Sequence, residues 1–354
     1  MSDVILSASK IKTAQSCSWK YWTSYVLKLP QSTNDGASRG WICHLVCELL
    51  GFKKHKKHYN LIIKSGSIHA SKAVSKLVSH HARKLEVSDD DNMELIDMMT
   101  VKALLHDFFG KEKGRTTDSI SEHEFNISVD EGGKNYKIRG FIDKLFLYDR
   151  GKDALIRDFK TSKQVFKGKE ITDNLQNLMY CLAVKKTFPK VKNVEVEFLF
   201  LKFDLSSDLL GQKGSGVLSM EVISKEELEG FEYQLTSIQE YLENFDEECA
   251  KSDFAANRNY PSDGTFGGPL MCGKEGYKKS RGELVLDSQG NKIKNFICEH
   301  RLPFDYYEHR DCDGKIIKCY KDKPSFVLND GEELTLKHYS GCPHFDKGNS
   351  SFLV

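Results

Sequence analysis

Apolar positions recur at helical spacing in the first part of the chain. Ile11, Trp19, Trp22, Tyr25 and Val26 follow Ser7 and Ser9, either of which can cap, so the pattern predicts a helix over 8–27. The run QSTNDG at 31–36 breaks it. A second helix is predicted from about Ser38 to Lys57, with His44 and Glu48 at i and i+4 on one face. Residues 60–112 keep a helical texture, interrupted by Asp89–Asp91, and read as an inserted helical arm.

The period changes near residue 120. Glu124–Val129 alternates as a strand does, Asp130-Glu131-Gly132-Gly133 is a turn signal, and Tyr136–Tyr148 is the returning strand. A second turn, Asp149-Arg150-Gly151-Lys152, leads into the short apolar run Ala154–Lys160. Leu175, Leu178, Met179, Leu182 and Ala183 predict a helix over 170–187; Val194–Phe203 is an apolar strand and Gly216–Val222 an edge strand. A long amphipathic helix is predicted over 224–252, opened by a Ser224–Glu227 capping box. Helices, a three-strand meander, a helix, a strand and a helix add up to an α/β (α+β) fold, a mixed central sheet flanked by helices. From about 254 the chain turns Gly- and Cys-rich and loses periodicity, so the expected division is 1–253 and 254–354.

Composition narrows the functional classes. The chain has 354 residues, 39% hydrophobic and 11% aromatic, which is enough apolar material for a packed core. Lys+Arg of 52 against Asp+Glu of 51 leaves a net charge of +1, which argues against a broad DNA-coating surface. Nucleic-acid contact then falls to local patches: Lys53–Lys57, or Lys160, Lys163, Lys167 and Lys169, each of which also reads as ordinary solvated surface. Met1–Lys12 has no long apolar run, and no stretch approaches the roughly 18–20 apolar residues of a spanning helix. An intracellular setting without membrane is expected, in which ten cysteines read as metal ligands or plain thiols instead of disulfides.

The candidate chemistry lies in Gly140-Phe141-Ile142-Asp143 followed by Ile156-Arg157-Asp158-Phe159-Lys160. Strand alternation puts Asp158 and Lys160 on one face, and hairpin pairing brings Asp143 to the same place. Two converging carboxylates, with the Phe159 backbone carbonyl, suit Mg²⁺ or Mn²⁺. Such a metal polarises a phosphoryl oxygen, while a lysine ammonium orients water or offsets developing charge. Alone, a D-x-K tripeptide is a weak signal. Here Gly140 precedes the strand aspartate, the tripeptide ends an apolar strand, and Gln176-x-x-x-Tyr180 follows on a helix.

Together with Gly40-x-x-x-His44-x-x-x-Glu48 upstream, this order resembles the RecB-type branch of the PD-(D/E)XK nuclease superfamily, over roughly residues 5–205. The resemblance implies a restriction-endonuclease-like sheet. It implies metal binding by His44, Asp143 and Asp158, Lys160 as catalytic lysine, and Gln176 and Tyr180 holding DNA or water beside it. On residues alone, His44 reads as a satisfied helix histidine and Tyr180 as core beside Met179 and Leu182. Glu124 stands where some members carry a strand glutamate, and otherwise reads as surface.

Some members of that branch, AddB-like and CRISPR-associated exonucleases, carry an iron–sulfur cluster on one early cysteine and three late ones. Cys17, Cys272, Cys298 and Cys342 are the positions this resemblance selects for a [4Fe–4S] cluster, with 278–295 as a hairpin between two ligands and the C-terminal region closing back on the first helix. The branch's compact cysteine trio is absent. Zn²⁺, with His300 or His344 joining, and plain thiols remain open. Cys43, Cys47, Cys181 and Cys249 lie on predicted helices and read as core residues.

The leading functional expectation is a metal-dependent DNA exonuclease or end-processing enzyme acting on ends or single strands. The alternatives are a non-catalytic DNA-binding or assembly subunit, and an endonuclease. No G-x-x-x-x-G-K-[ST] pattern occurs, so any helicase motor belongs to a separate helicase or recombination partner. The resemblance implies a bacterial cytoplasm as the setting, with phage origin as a variant.

Overall fold

The computed structural model describes residues 4–114, 116–206, 214–252, 276–277, 279–280, 282–284, 292 and 297–343. Its helices and strands in chain order begin with α1 (Ala8–Ser16), α2 (Ser18–Tyr21), α3 (Asp35–Gly51), α4 (Lys56–Ser65), α5 (Lys72–Lys84) and α6 (Asp90–Leu105). The meander follows as β1 (Asp118–Glu131), β2 (Lys134–Tyr148) and β3 (Asp153–Lys160). Then come α7 (Lys169–Thr172), α8 (Leu175–Thr187), β4 (Asn193–Phe200), β5 (Val217–Ser219), α9 (Lys225–Glu243) and α10 (Glu247–Ser252). The remainder comprises β6 (Lys279–Ser280), β7 (Glu283–Leu284), β8 (Phe304–Arg310), β9 (Ile316–Tyr320) and β10 (Glu333–Tyr339). Two compact units divide these elements: 1–8 with 33–243, and 9–32 with 244–354.

The first unit is built on a five-stranded sheet of order β1-β2-β3-β4-β5. β1, β2 and β3 form an antiparallel meander, β3 and β4 are parallel, and β5 is antiparallel to β4. The parallel pair needs a crossover, which α8 supplies. The β1–β2 turn is two residues, Gly132 (φ 60°) and Gly133 (φ 75°), a left-handed pair that glycine adopts without strain and that matches strand twist. β3 is buried on both faces from Ala154 to Phe159, which is why its sequence reads as an apolar run.

Helices α3, α5 and α6 contribute Ile42, Val46, Val78, Ile96 and Met99 to one apolar cluster that also takes in Phe159 and Leu199 of the sheet. The segment expected as an inserted arm is therefore part of the packed core of this unit. Asp89, part of the acidic stretch read as a break, accepts a hydrogen bond from the Asn92 backbone N–H and caps α6. α9 opens with the expected capping box, Ser224 N–H on Glu227 at 2.7 Å and Glu227 N–H on the Ser224 hydroxyl at 3.1 Å.

Four expected helices differ in their bounds, one of them the helix expected over 170–187, which divides into α7 and α8 at Asp173–Asn174, where extended Asn174 caps α8. The helix over 8–27 is interrupted at Cys17, which is extended (φ −162°) and whose sulfur caps α2, and residues Trp22–Val26 follow as a π turn. The helix expected to reach Lys57 stops at Gly51, where a Cβ would lie 1.9 Å from the Ser121 hydroxyl. The helix expected over 224–252 divides between Glu243 and Glu247.

The second unit joins α1, α2 and α10 to a three-stranded antiparallel sheet of order β10-β8-β9. Trp19, Leu29, Ala250, Tyr306, Cys319 and Tyr339 form its core. Trp19 donates its indole N–H to the Tyr339 hydroxyl at 2.8 Å, and that hydroxyl donates to the His300 carbonyl at 2.6 Å. β6 and β7 pair as a short hairpin inside the span expected to form one. No described helix is long and apolar enough to cross a membrane.

Candidate active site

Pairing of β2 with β3 runs from Tyr148–Asp153 to Lys144–Arg157 and stops there. Beyond it, the side chain of Asp143 replaces a backbone acceptor: its Oδ2 takes the Phe159 N–H at 2.7 Å. N–H and C=O of one strand residue point to the same edge, so the Phe159 carbonyl faces the Asp143 side, while the Lys160 carbonyl turns the other way to Leu201 N–H. Phe159 itself points into the apolar cluster, leaving Asp158 and Lys160 together on the opposite face.

Asp158 is almost fully buried, and its two oxygens have different duties. Oδ1 accepts from Gln176 Nε2 at 2.8 Å and from the Tyr180 hydroxyl at 2.6 Å. Oδ2 lies 2.6 Å from Lys160 Nζ as an ion pair, yet it is buried without a hydrogen bond of good geometry. Lys160 Nζ is also held by Gln176 Oε1 at 2.8 Å. Gln176 and Tyr180 reach Asp158 together because they are one helical turn apart on α8, whose N-cap Asn174 accepts the Gln176 and Asn177 N–H groups.

Electrostatics follow from this packing. Burial pushes the Asp158 carboxyl up, against the pull of Lys160. Burial and the facing Asp158 push the Tyr180 hydroxyl well above its ordinary value, so it stays protonated and donates. His44 Nδ1 sits 3.0 Å from Asp143 Oδ1. Burial alone lowers the imidazole, but Asp143 outweighs it and brings His44 up to about 10.

Two glycines of the sequence motifs have steric duties. A Cβ on Gly40 would lie 2.6 Å from the Thr161 hydroxyl, so the glycine lets α3 approach the end of β3 one turn before His44. A Cβ on Gly140 would lie 2.4 Å from Phe125 Cζ. The bare backbone admits the Phe125 ring, which in turn meets Tyr180 edge-on at 6.4 Å.

His44, Asp143, Asp158, Phe159, Lys160, Gln176 and Tyr180 are thus gathered in the first unit. Glu124 is apart from them, on the surface with Arg139 at 2.8 Å. Lys53, Lys54, Lys56, Lys57, Lys163 and Lys167 are exposed. Sequence reasoning missed Glu122, which stands at the unpaired register position opposite Asp143 with φ 49°. Burial, then Asp143 and Glu48, raise its carboxyl to about 7. Only strand register identifies that position, and the chain carries no local signal for it.

Among the described residues, no three His, Cys, Asp or Glu side chains are already disposed to hold a metal ion. At the carboxylates, the oxygens are turned onto His44, Phe159 N–H, Gln176, Tyr180 and Lys160. In the second unit, Cys17 and Cys342 pack against the apolar core around Trp19 and Tyr339, and Cys298 is half-buried. The fourth expected ligand, Cys272, and the alternative His344 lie outside the described residues. His300 is buried with both ring nitrogens unsatisfied. Cys43, Cys47 and Cys181 are buried, while Cys249 is partly exposed.

A mixed five-strand sheet flanked by helices, with one carboxylate within its second strand and a carboxylate and a lysine at the end of its third, has the restriction-endonuclease-like class of fold. A family model of the PD-(D/E)XK nuclease superfamily matches residues 5–272, and the chain belongs to that superfamily. Its nucleases use divalent metals such as Mg²⁺ and Mn²⁺ and act on DNA. No curated protein matches the sequence. Among solved structures, one described as the crystal structure of SSO0001 is similar at 16% identity and a TM-score of 0.24, covering 57% of this chain and 75% of that one. Another, protein VC1899 from Vibrio cholerae, is similar at 10% identity and a TM-score of 0.22, covering 59% of this chain and 57% of that one.

Proposed function

We propose that the protein is a divalent-metal-dependent deoxyribonuclease of the RecB-type branch that works from DNA ends or single strands. The observation that carries this reading is the convergence of Asp143, Asp158 and Lys160, with Gln176 and Tyr180 fixing both Asp158 and Lys160. Superfamily membership supports it independently.

The donor set fits a hard cation. Carboxylate oxygens of Asp143 and Asp158 and the Phe159 carbonyl are the oxygen ligands that Mg²⁺ and Mn²⁺ take, and His44 adds an imidazole. Asp158 Oδ2, whose contact in the structure is the Lys160 ammonium at 2.6 Å, is the Asp158 oxygen that would be shared between Lys160 and a metal. When bound there, the metal supplies Lewis acidity at the scissile phosphate.

The chain's own groups do the rest. Lys160, locked between Asp158 and Gln176, directs its ammonium at the attacking water and at the charge that grows on phosphoryl oxygen. Tyr180 and Gln176 keep Asp158 from rotating. His44 keeps one Asp143 oxygen oriented, and the Phe159 N–H keeps the other.

The test is cutting of end-labelled linear DNA with added Mg²⁺ or Mn²⁺. Asp158→Ala and Lys160→Ala should each lose about 10²–10³-fold in rate while keeping the far-ultraviolet circular dichroism of a folded chain. Full activity in either variant overturns the mechanism, and binding without product in the unaltered protein favours a non-catalytic subunit. Covalently closed circular DNA should stay intact; nicking of it would indicate an endonuclease.

A [4Fe–4S] cluster on Cys17, Cys298 and Cys342 with Cys272 belongs to the same reading, with Zn²⁺ on three thiols and His300 as the competing assignment. The unsatisfied ring nitrogens of buried His300 support this reading, although among the described residues Cys17, Cys298, Cys342 and His300 are not disposed as a metal-holding group. A visible absorption band and iron content in anaerobically purified protein select the cluster, zinc content selects the alternative, and neither leaves plain thiols.

A further inference from the structure

The chain is nearly neutral, so a local excess of lysine on a concave surface stands out. One such groove, of about 660 Å³, lies wholly in the second unit, between residues 24–31 and residues 318–325. Lys28, Lys318, Lys321 and Lys323 line it against a single carboxylate, Asp322. Lys28 Nζ donates to the Ile316 carbonyl, so its charge is fixed at the wall. Among the described residues, none of Lys318, Lys321 and Lys323 is ion-paired, and all three are exposed.

An aromatic platform adjoins these charges. Lys318 and Tyr320 share a face of β9 by alternation, with Lys318 Nζ 5.2 Å from the Tyr320 ring centre. Cys319 points the other way, its sulfur on the Leu27 carbonyl. Tyr320 meets the Phe326 ring at 5.7 Å, and Phe326, 43% exposed, meets His309 at 5.1 Å.

We propose that this groove binds a single strand of DNA, with phosphates on the lysines and bases stacked on Tyr320 and Phe326. The choice of DNA as occupant rests on the nuclease reading; the charge and the rings are independent of it. Unpaired lysines release counterions from a phosphate backbone without first breaking ion pairs. The exposed Phe326 ring and the half-buried Tyr320 ring beside it can take any base, but only from a strand whose bases are not already paired and stacked in a duplex.

The experiment uses the full chain in EDTA, so that binding is read without cutting. Anisotropy of a fluorescein-labelled oligothymidylate of roughly 20 nucleotides is followed against salt. The combined variant Lys318→Ala, Lys321→Ala, Lys323→Ala should bind at least about tenfold more weakly at low salt, and the slope of log K against log salt should fall by about 2. Tyr320→Ala with Phe326→Ala should weaken binding and leave that slope unchanged. An unaltered slope in the lysine variant overturns the proposal. So does equal affinity for a duplex of the same length, or equal competition by polyglutamate, which would mark an acidic protein segment as the occupant. The exposed lysine sites can be changed without touching the core, so the test survives if the aromatic variant fails to fold. Cutting of the same DNA with added metal is scored separately: binding without cutting sinks the nuclease reading and leaves the groove standing.

Discussion

Asp158 owes its position to residues that do not flank it in sequence. Tyr180 gives its hydroxyl to Oδ1, Gln176 bridges Oδ1 and Lys160, and Phe125 supports Tyr180 across the space left by Gly140. Tyr180→Phe keeps the ring and removes the donor. It should melt within a few degrees of the unaltered protein and, if Asp158 holds the metal as proposed, cut about 10- to 100-fold more slowly, the typical cost of losing a group that orients a metal ligand. An unchanged single-turnover rate would refute that role. Gly140→Ala places a methyl where Phe125 now lies, and overpacking of this kind costs about 1–3 kcal/mol. Combined with Phe125→Ala, part of that loss should return in urea denaturation, because the two changes share one contact. Strict additivity would place the strain elsewhere.

Elements hold the site through α8 and α9. Glu232 on α9 accepts from Tyr136 at 2.6 Å and pairs with Lys134 at 2.9 Å on β2, and with Lys186 of α8 at 2.7 Å. Burial opposes its ionisation, but these three donors win and bring the carboxyl from 4.5 down to about 2. A carboxyl depressed on folding contributes stability that is complete above its unfolded value and disappears as the pH falls through the folded one. Glu232→Gln should therefore be less stable at neutral pH, and the gap in melting temperature should close between about 4.5 and 2. A gap that stays constant with pH would show that the charge of Glu232 is not what joins α9 to β2. At the start of α8, Asn174→Ala removes the cap and should cost about 1 kcal/mol, read as a lower denaturation midpoint.

At the scale of the whole molecule, chain order and spatial order diverge. Residues 9–32 belong to the second unit although residues 4–8 and 33–243 belong to the first. Trp19 and Leu29 find their cover in Ala250, Tyr306 and Tyr339. A chain ended at Glu243 should therefore expose that apolar face and aggregate, as read by size-exclusion chromatography. Replacing 9–32 in it by a Gly/Ser linker of equal length should restore solubility. A soluble, monodisperse truncation with 9–32 intact would contradict this account.

Much of this was legible beforehand for identifiable reasons. The meander, the Gly132-Gly133 turn, the buried β3 and the capping box at Ser224 are local: period, turn residues and capping act over a few neighbours, and the structure has them where the pattern put them. The same holds for the face shared by Asp158 and Lys160, which alternation alone dictates. Where helices stop was not legible, because Gly51 ends α3 against Ser121, a residue 70 positions away. By itself the sequence determined the strands of the meander and which side chains its alternation and spacing nominate for the site, since those depend on a few neighbours. Only tertiary structure decided that Asp143 replaces a backbone acceptor for Phe159, that Glu122 faces it, and that Lys318, Lys321 and Lys323 converge on a groove with Lys28. Those relations depend on strand register and on contacts between distant segments, and neither is encoded in any short window of the chain.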